Sequence, residues 1–144
     1  MGYAQSRALA QGVNVTFHVR DALAEPLPAD FDVILCSLFL HHLDEYKAEC
    51  LLRSMGQSAR RMVLVDDLIR SRWGYLMAWF GCRLLSRSRV VHHDGPVSVQ
   101  GAFRPNEVVQ LARAAGLNGA SLTRHWPERY LLTWANHDSL NINS

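Results

Sequence analysis

Two adjacent histidines, His41 and His42, follow a nearly continuous apolar run at residues 32–37. A run of this kind is typical of a central parallel strand that is covered on both faces. Ligands of α/β proteins bind where such strands end. Imidazole titrates near neutral pH, so His41 or His42 could act as a general base. The pair could equally contact only backbone and water in a loop, and the sequence leaves both interpretations open.

Further polar residues lie where they could line a substrate pocket. Asp66 and Asp67 end a second apolar run, and Asp67 could bind a substrate amine or cap the next helix. His92, His93 and Asp94 lie in a stretch that we expect to be irregular, residues 87–103. They could form a metal or base cluster, although a solvated lid loop is the simpler interpretation. If these residues are functional, Asp67, His92 and His93 line a substrate pocket, and we assign them to it as candidates.

Residues 72–86 form a strongly apolar segment that begins near Trp73 and is flanked by arginines. At about fifteen residues it falls short of the roughly 20 that a bilayer-spanning helix needs. The segment could cover an apolar substrate, which would place Trp73 in the pocket. Packing in the core and contact with a membrane interface are the alternatives.

Composition excludes several classes of function. The formal charge of +2 gives no argument for nucleic-acid binding. The three cysteines, Cys36, Cys50 and Cys82, are far apart and include no C-x-x-C pair, so we expect neither a metal site nor disulfides. The first residues lack the apolar core of a signal peptide. Together these features favour a cytoplasmic protein.

The pattern of elements predicts an α/β fold with one domain over residues 1–135 and a polar tail over 136–144. Strand–helix alternation followed by a hairpin favours a doubly wound, mainly parallel sheet with a C-terminal antiparallel hairpin. The predicted strands are 13–19, 32–37, 62–65, 119–125 and 129–135. The predicted helices are 3–11, 45–58 after the cap residue Asp44, 72–86 and 105–115.

From Val13 to Ala135 the chain resembles the class I S-adenosylmethionine-dependent methyltransferases of the small-molecule type. The resemblance rests on the order and spacing of short motifs. They are Val-Arg-Asp-Ala-Leu at 19–23, Phe-Asp-Val-Ile at 31–34 before Leu-His-His-Leu at 40–43, Val-Leu-Val-Asp-Asp at 63–67, Arg-Pro-Asn-Glu at 104–107 and Ala-Gly-Leu at 115–117. It implies a Rossmann-like fold, S-adenosyl-L-methionine as cofactor and a small, fairly apolar substrate.

The resemblance also implies roles for individual residues. Asp21 would approach the adenine amino group, and Ala22 would lie beside the ring. Ser37 and Leu38 would lie near the methionine portion of the cofactor. His41 and His42 would line the active-site floor or open a substrate pocket.

One part of the family pattern is absent. The glycine-rich turn that cradles the methionine end should precede all of these motifs, yet no two glycines are separated by a single residue. The chain therefore reads as N-terminally truncated, through a misassigned start, a fragment or a degenerate paralogue. A methyltransferase-like protein that is incomplete as this chain is the expected function. A non-catalytic remnant that serves as a binding or dimerisation module is the alternative.

The truncation has a consequence for the sheet. In the family, two strands lie between those matching 13–19 and 32–37. Without them the strand at 32–37 would expose an unpaired apolar edge. We expect the chain to close this gap by moving the 13–19 strand or by pairing with a second copy.

Overall fold

The computed structural model describes residues 2–136, which form a four-stranded sheet and five α-helices. Its strands are β1 (Val33–Ser37), β2 (Met62–Leu68), β3 (Ser121–His125) and β4 (Arg129–Ala135). Its helices are α1 (Gly2–Ala10), α2 (Glu45–Ser58), α3 (Arg72–Leu85), α4 (Arg89–Gly101) and α5 (Pro105–Ala114), and a short 3₁₀ turn spans Leu40–His42. The predicted tail beyond residue 136 lies outside the described residues.

The sheet has the strand order β1-β2-β4-β3. Strand β1 pairs with β2 in parallel, with Cys36 opposite Val65. Strand β4 lies antiparallel between β2 and β3, so β1, β2 and β3 all run in the same direction. The predicted α/β fold with a mainly parallel sheet and a C-terminal antiparallel hairpin is confirmed.

Alternation along β2 determines which side chains enter the core. Val63, Val65 and Asp67 are buried, whereas the residues between them are partly exposed. The buried face packs into a core to which α2 and α5 contribute Leu52 and Val108. Because side chains of a strand alternate between two faces, Asp67 points into the same layer as the buried valines. The core therefore contains a carboxylate that needs hydrogen-bond partners.

The prediction of a strand at residues 13–19 is wrong. After α1 the chain turns, with the Val13 amide donating to Ala8 O at 3.0 Å, and then runs without regular structure to β1. Val15 and Val19 are exposed. Alternating hydrophobicity alone does not place a segment in a sheet, and residues 13–19 pair with no described strand. The segment therefore does not close the gap in the sheet.

The prediction of an irregular stretch at 87–103 is also wrong, because α4 occupies most of it. Gly95 and Pro96 suggested a break in regular structure. The lack of a side chain at Gly95 instead permits close packing, since a Cβ there would lie 2.3 Å from Cys82 Sγ of α3. Helices α3 and α4 thus pair directly. None of the described helices has the length and apolar character to cross a membrane.

Candidate active site

The end of β1 is shaped to present the two histidines. Leu38 adopts a left-handed conformation with φ 52°, and its amide donates to Asp66 O of β2 at 3.0 Å. This bond ties the exit of β1 to β2 and turns the chain away from the sheet. The 3₁₀ turn at Leu40–His42 follows at once, and Leu40 anchors it in the core. The local backbone therefore fixes His41 beside the C-terminal end of β2.

A buried hydrogen bond joins His41 to Asp67. Nδ1 of His41 lies 2.6 Å from Oδ1 of Asp67, and the two residues are only 8% and 1% exposed. The other carboxylate oxygen accepts from the amides of Phe39 and His41 at 3.1 and 3.3 Å. The amide of Leu68 donates to Oδ1 at 2.7 Å. The Asp67 carboxylate thus binds both the backbone of the 3₁₀ turn and the imidazole ring of His41.

The hydrogen bond between the two side chains determines which imidazole nitrogen carries the proton. Burial raises the pKa of the Asp67 carboxyl, but the hydrogen bond from His41 and the amides of Leu68 and His41 together bring that pKa below its usual value. An ionised Asp67 only accepts, so Nδ1 of His41 carries the proton. In the neutral imidazole Nε2 is then an acceptor. Within residues 2–136 Nε2 has no hydrogen-bond partner. His41 can therefore receive a proton at Nε2.

Both histidines line a cavity of about 460 Å³. The rings of His41 and His42 are tilted against each other, with their centroids 4.0 Å apart. The wall of the cavity consists of Leu38, Leu68, Ala78, Gly95, Ser98, Val99, Pro127 and Arg129. Helices α3 and α4 thus form one side, and the hairpin loop another. From the apolar helix α3 only Ala78 lines this wall, and the covering of a substrate by that helix stays a prediction.

Asp66 performs a different task from its neighbour Asp67, because it lies on the opposite face of β2. Its carboxylate accepts from Arg129 at 3.1 Å from Nε and 2.5 Å from Nη2, and from His125 Nε2 at 3.1 Å. Asp66 thereby fixes Arg129, one of the residues of the cavity wall. Nothing in the sequence pattern singled out Arg129, since its role depends on the antiparallel register of β4.

Two of the residues assigned to cofactor binding lie near a second cavity. Asp21 Oδ1 accepts from the amides of Leu23 and Ala24 at 2.9 and 3.2 Å, which stabilises a turn. Ala22 lines a cavity of about 310 Å³ against α2, with Cys50 and Ser54. The other two, Ser37 and Leu38, lie at the end of β1, and Leu38 belongs to the histidine cavity.

The remaining pocket candidates lie outside the wall of the histidine cavity. Trp73 is 72% exposed on α3. Nε2 of His92 lies 2.7 Å from Ser86 O, and His93 is exposed. Asp67 does not line the cavity and contacts His41, which does. No group of three or more His, Cys, Asp or Glu residues in the described part of the chain could hold a metal ion.

Tyr130 is a buried polar residue that the sequence analysis missed. It lies opposite Asp67 in the sheet, and its hydroxyl has no hydrogen-bond partner among the described residues. Burial raises its pKa, and the nearby charge of Asp67 raises it further. Tyr130 lies two residues before Leu132 and shares its buried face of β4, and this period of two was the signal that could have placed Tyr130 in the core.

Comparison with known proteins identifies solved structures of the same fold. SibL, an S-adenosylmethionine-dependent methyltransferase solved in its apo form, superposes with a TM-score of 0.68 at 15% identity. The match covers 94% of this chain and 40% of that one. No protein-family model matches the sequence, and a comparison with curated proteins also finds no match.

Two further structures extend the similarity. An O-methyltransferase family 2 protein from Planctomyces limnophilus DSM 3776, in complex with apigenin, has a TM-score of 0.62 at 16% identity, covering 93% of this chain and 39% of that chain. Magnesium protoporphyrin IX methyltransferase from Synechocystis PCC 6803, with bound SAH, has a TM-score of 0.60 at 18% identity. The match covers 94% of this chain and 58% of that chain. At these identities the similarity establishes a shared fold. The chain spans 40% of the length of SibL and 39% of the length of the Planctomyces limnophilus protein.

Proposed function

We propose that this chain forms the substrate-binding part of an S-adenosylmethionine-dependent methyltransferase that acts on a small, fairly apolar molecule. The observation that carries the proposal is the buried His41–Asp67 pair beside a cavity, on a fold shared with methyltransferases. The pair orients one imidazole nitrogen and leaves the other free, which is the arrangement that a general base needs. We assign the proton transfer to His41.

The residues fit part of the cofactor. Oδ1 of Asp21 holds a turn, whereas Oδ2 has no partner among residues 2–136 and could accept from an exocyclic adenine amino group. Ala22 lines an adjacent cavity with room for a ring edge. Ser37 and Leu38 would contact the methionine portion. When bound, S-adenosyl-L-methionine would supply a methyl group on a positively charged sulfur.

The chain's own residues would perform the proton transfer and the positioning. His41 Nε2 would take the proton from the substrate hydroxyl, whose oxygen would then accept the methyl group that the bound cofactor would supply. Asp67 stabilises the imidazolium that results, because its carboxylate already accepts from Nδ1. His42, Leu38 and Val99 confine the substrate and exclude water from the cavity. No covalent intermediate with the protein is needed.

Calorimetric titration of S-adenosyl-L-methionine and S-adenosylhomocysteine tests the proposal. We expect binding to this chain, or to a form extended upstream in the reading frame, and we expect Asp21→Ala to weaken it. Asp30→Ala, which removes an exposed carboxylate that does not line the cavity of Ala22, is the matched control. Absence of binding to either form would contradict the proposal and favour the non-catalytic module instead.

A turnover assay then tests the role of His41. With the form that binds the cofactor, methyl transfer to a panel of small phenols is measured by mass spectrometry. His41→Gln should lower the rate 10²- to 10⁴-fold, the usual contribution of a general base, whereas His93→Gln should leave it unchanged. A His41→Gln variant with normal rates would show that the histidine only fills space.

A further inference from the structure

A third cavity, of about 450 Å³, adjoins the histidine cavity and contains three arginines. Arg70 and Arg72 lie where β2 leads into α3, and Arg104 precedes α5. Val99 of α4 lines both cavities, so the two are neighbours on either side of one side chain. Tyr75 and Leu76 complete an apolar wall. The region therefore combines an apolar surface with concentrated positive charge.

Only one of the three arginines is neutralised. Nη2 of Arg70 contacts the Glu107 carboxylate, 2.6 Å from one oxygen and 2.7 Å from the other. Neither Arg72 nor Arg104 forms an ion pair with any residue from 2 to 136. The other nearby carboxylate, Glu128, accepts from Ser71 Oγ at 2.5 Å and does not line the cavity. Two guanidinium groups thus remain available to an anion.

The backbone around these arginines is held rigidly. The amide of Arg70 donates to Phe103 O at 3.1 Å, and that of Ile69 donates to Glu128 O at 2.9 Å. The amide of Arg104 donates to Glu107 at 2.8 Å, so the carboxylate that pairs with Arg70 also positions the start of α5. The backbone positions of Arg70 and Arg104 are therefore fixed by hydrogen bonds within the chain itself.

We infer that this cavity binds the anionic group of the substrate, so that the substrate class is apolar organic acids. Guanidinium groups pair in a planar, bidentate manner with carboxylate or phosphate oxygens. Each cavity has the size of a small-molecule site. One ligand could place its anionic group against Arg72 and Arg104 and its apolar body past Val99, towards His41. That the bound anion is a substrate rests on the proposed function. Binding of the anion to the arginines can be measured separately.

The test uses binding without cofactor. Solutions of 2-naphthoate, 1-naphthyl phosphate and the neutral 2-naphthamide are titrated into the chain, and amide shifts are followed by NMR. We expect the two anions to bind at least tenfold more tightly than the amide and to shift the signals of Gly74, Tyr75 and Gln100. The two anions distinguish carboxylate from phosphate as the preferred group.

Variants decide whether the arginines cause the preference. The double change Arg72→Gln and Arg104→Gln should abolish the advantage of the anions and leave naphthamide binding unchanged. Arg61→Gln, an exposed arginine at the opposite end of β2, is the control and should have no effect. Equal binding of acid and amide, or an undiminished preference in the double variant, would overturn the inference. Either result stands whether or not the chain binds S-adenosyl-L-methionine.

Discussion

Nδ1 of His41 and Oδ1 of Asp67 lie 2.6 Å apart in a site that is almost closed to solvent. The two residues are 26 positions apart in the chain and belong to adjacent elements, a turn after β1 and the end of β2. Asp67 also accepts from the amides of Phe39 and Leu68. One carboxylate thus supports both the fold and the proposed base.

Replacement of Asp67 by asparagine should therefore affect stability. At pH 7 we expect Asp67→Asn to lower the free energy of unfolding by about 1 to 3 kcal/mol, since buried donors lose a charged acceptor. The pKa of Asp67 is lower in the folded chain than in the unfolded chain, where it is about 3.9. Its contribution is thus fully present above that value and is lost as the pH falls through the folded pKa. Urea unfolding of the parent chain and of Asp67→Asn between pH 7 and 2.5 measures this loss of stability.

The difference between the two proteins should shrink at the acid end of that series. Asp30→Asn, which removes a largely exposed carboxylate, is the control and should change stability little at any pH. A penalty for Asp67→Asn that is independent of pH would mean that the ionised carboxylate contributes nothing beyond its shape.

Tyr130 offers the opposite case, a buried polar group without a partner. Its hydroxyl is enclosed and receives no hydrogen bond from the described residues. Tyr130→Phe removes that group and keeps the ring, so we expect the free energy of unfolding to rise by about 1 kcal/mol. Tyr46→Phe, on the exposed surface of α2, should leave stability unchanged. A clear loss of stability in Tyr130→Phe would reveal a hydrogen bond to a buried water.

Gly95 should tolerate no side chain, because α4 touches α3 there. A Cβ would lie 2.3 Å from Cys82 Sγ, so Gly95→Ala should separate the helices. Gly81→Ala on α3 is the matched control, since nothing lies within 4 Å of its added Cβ. Gly81→Ala should stabilise the chain by about 1 kcal/mol through helix propensity. Chemical unfolding should show Gly95→Ala to be less stable than Gly81→Ala by about 1 to 3 kcal/mol.

A second change tests the cause of that loss. Cys82→Ala removes the sulfur that meets the new side chain, so adding it to Gly95→Ala should restore part of the stability. Equal stability of the two alanine variants, or no rescue by Cys82→Ala, would show that the helices do not pack at this point.

The sequence was sufficient to predict elements whose own pattern determines them. The helix after Asp44 follows from its cap, where the amide of Lys47 donates to the carboxylate at 2.8 Å. The hairpin follows from two successive strand segments with a short connection around Pro127. Such signals act over a few residues and need no knowledge of the rest of the chain.

The errors arose where distant contacts decide the outcome. Residues 13–19 have the alternation of a strand, yet they do not pair with the free outer edge of β1, so pattern alone misled. Gly95 and Pro96 suggested a loop, whereas packing against α3 favours a helix. For the site, the sequence singled out both His41 and Asp67. It could not show that they touch, because that contact depends on the parallel register of β1 and β2.

The outer edge of β1 leads to a prediction about assembly. No described strand pairs with this edge, and Leu35, at its centre, is 61% exposed. An unpaired apolar edge is a template for strand addition. Because residues 13–19 do not cover it, pairing with a second copy is the part of the original hypothesis that is still open. We expect the chain to dimerise reversibly in sedimentation velocity experiments at tens of micromolar, by the edge-strand mechanism.

A lysine in an edge strand opposes such pairing, so Leu35→Lys should shift the equilibrium to monomer. Leu84→Lys is the matched control, because Leu84 is also exposed and apolar but lies on α3. If the parent and Leu84→Lys dimerise while Leu35→Lys stays monomeric, the interface lies at β1. A monomeric parent at 100-fold higher concentration, or a Leu35→Lys variant that associates like the parent, would contradict edge pairing. Disruption by Leu84→Lys alone would assign the association to the apolar surface of α3.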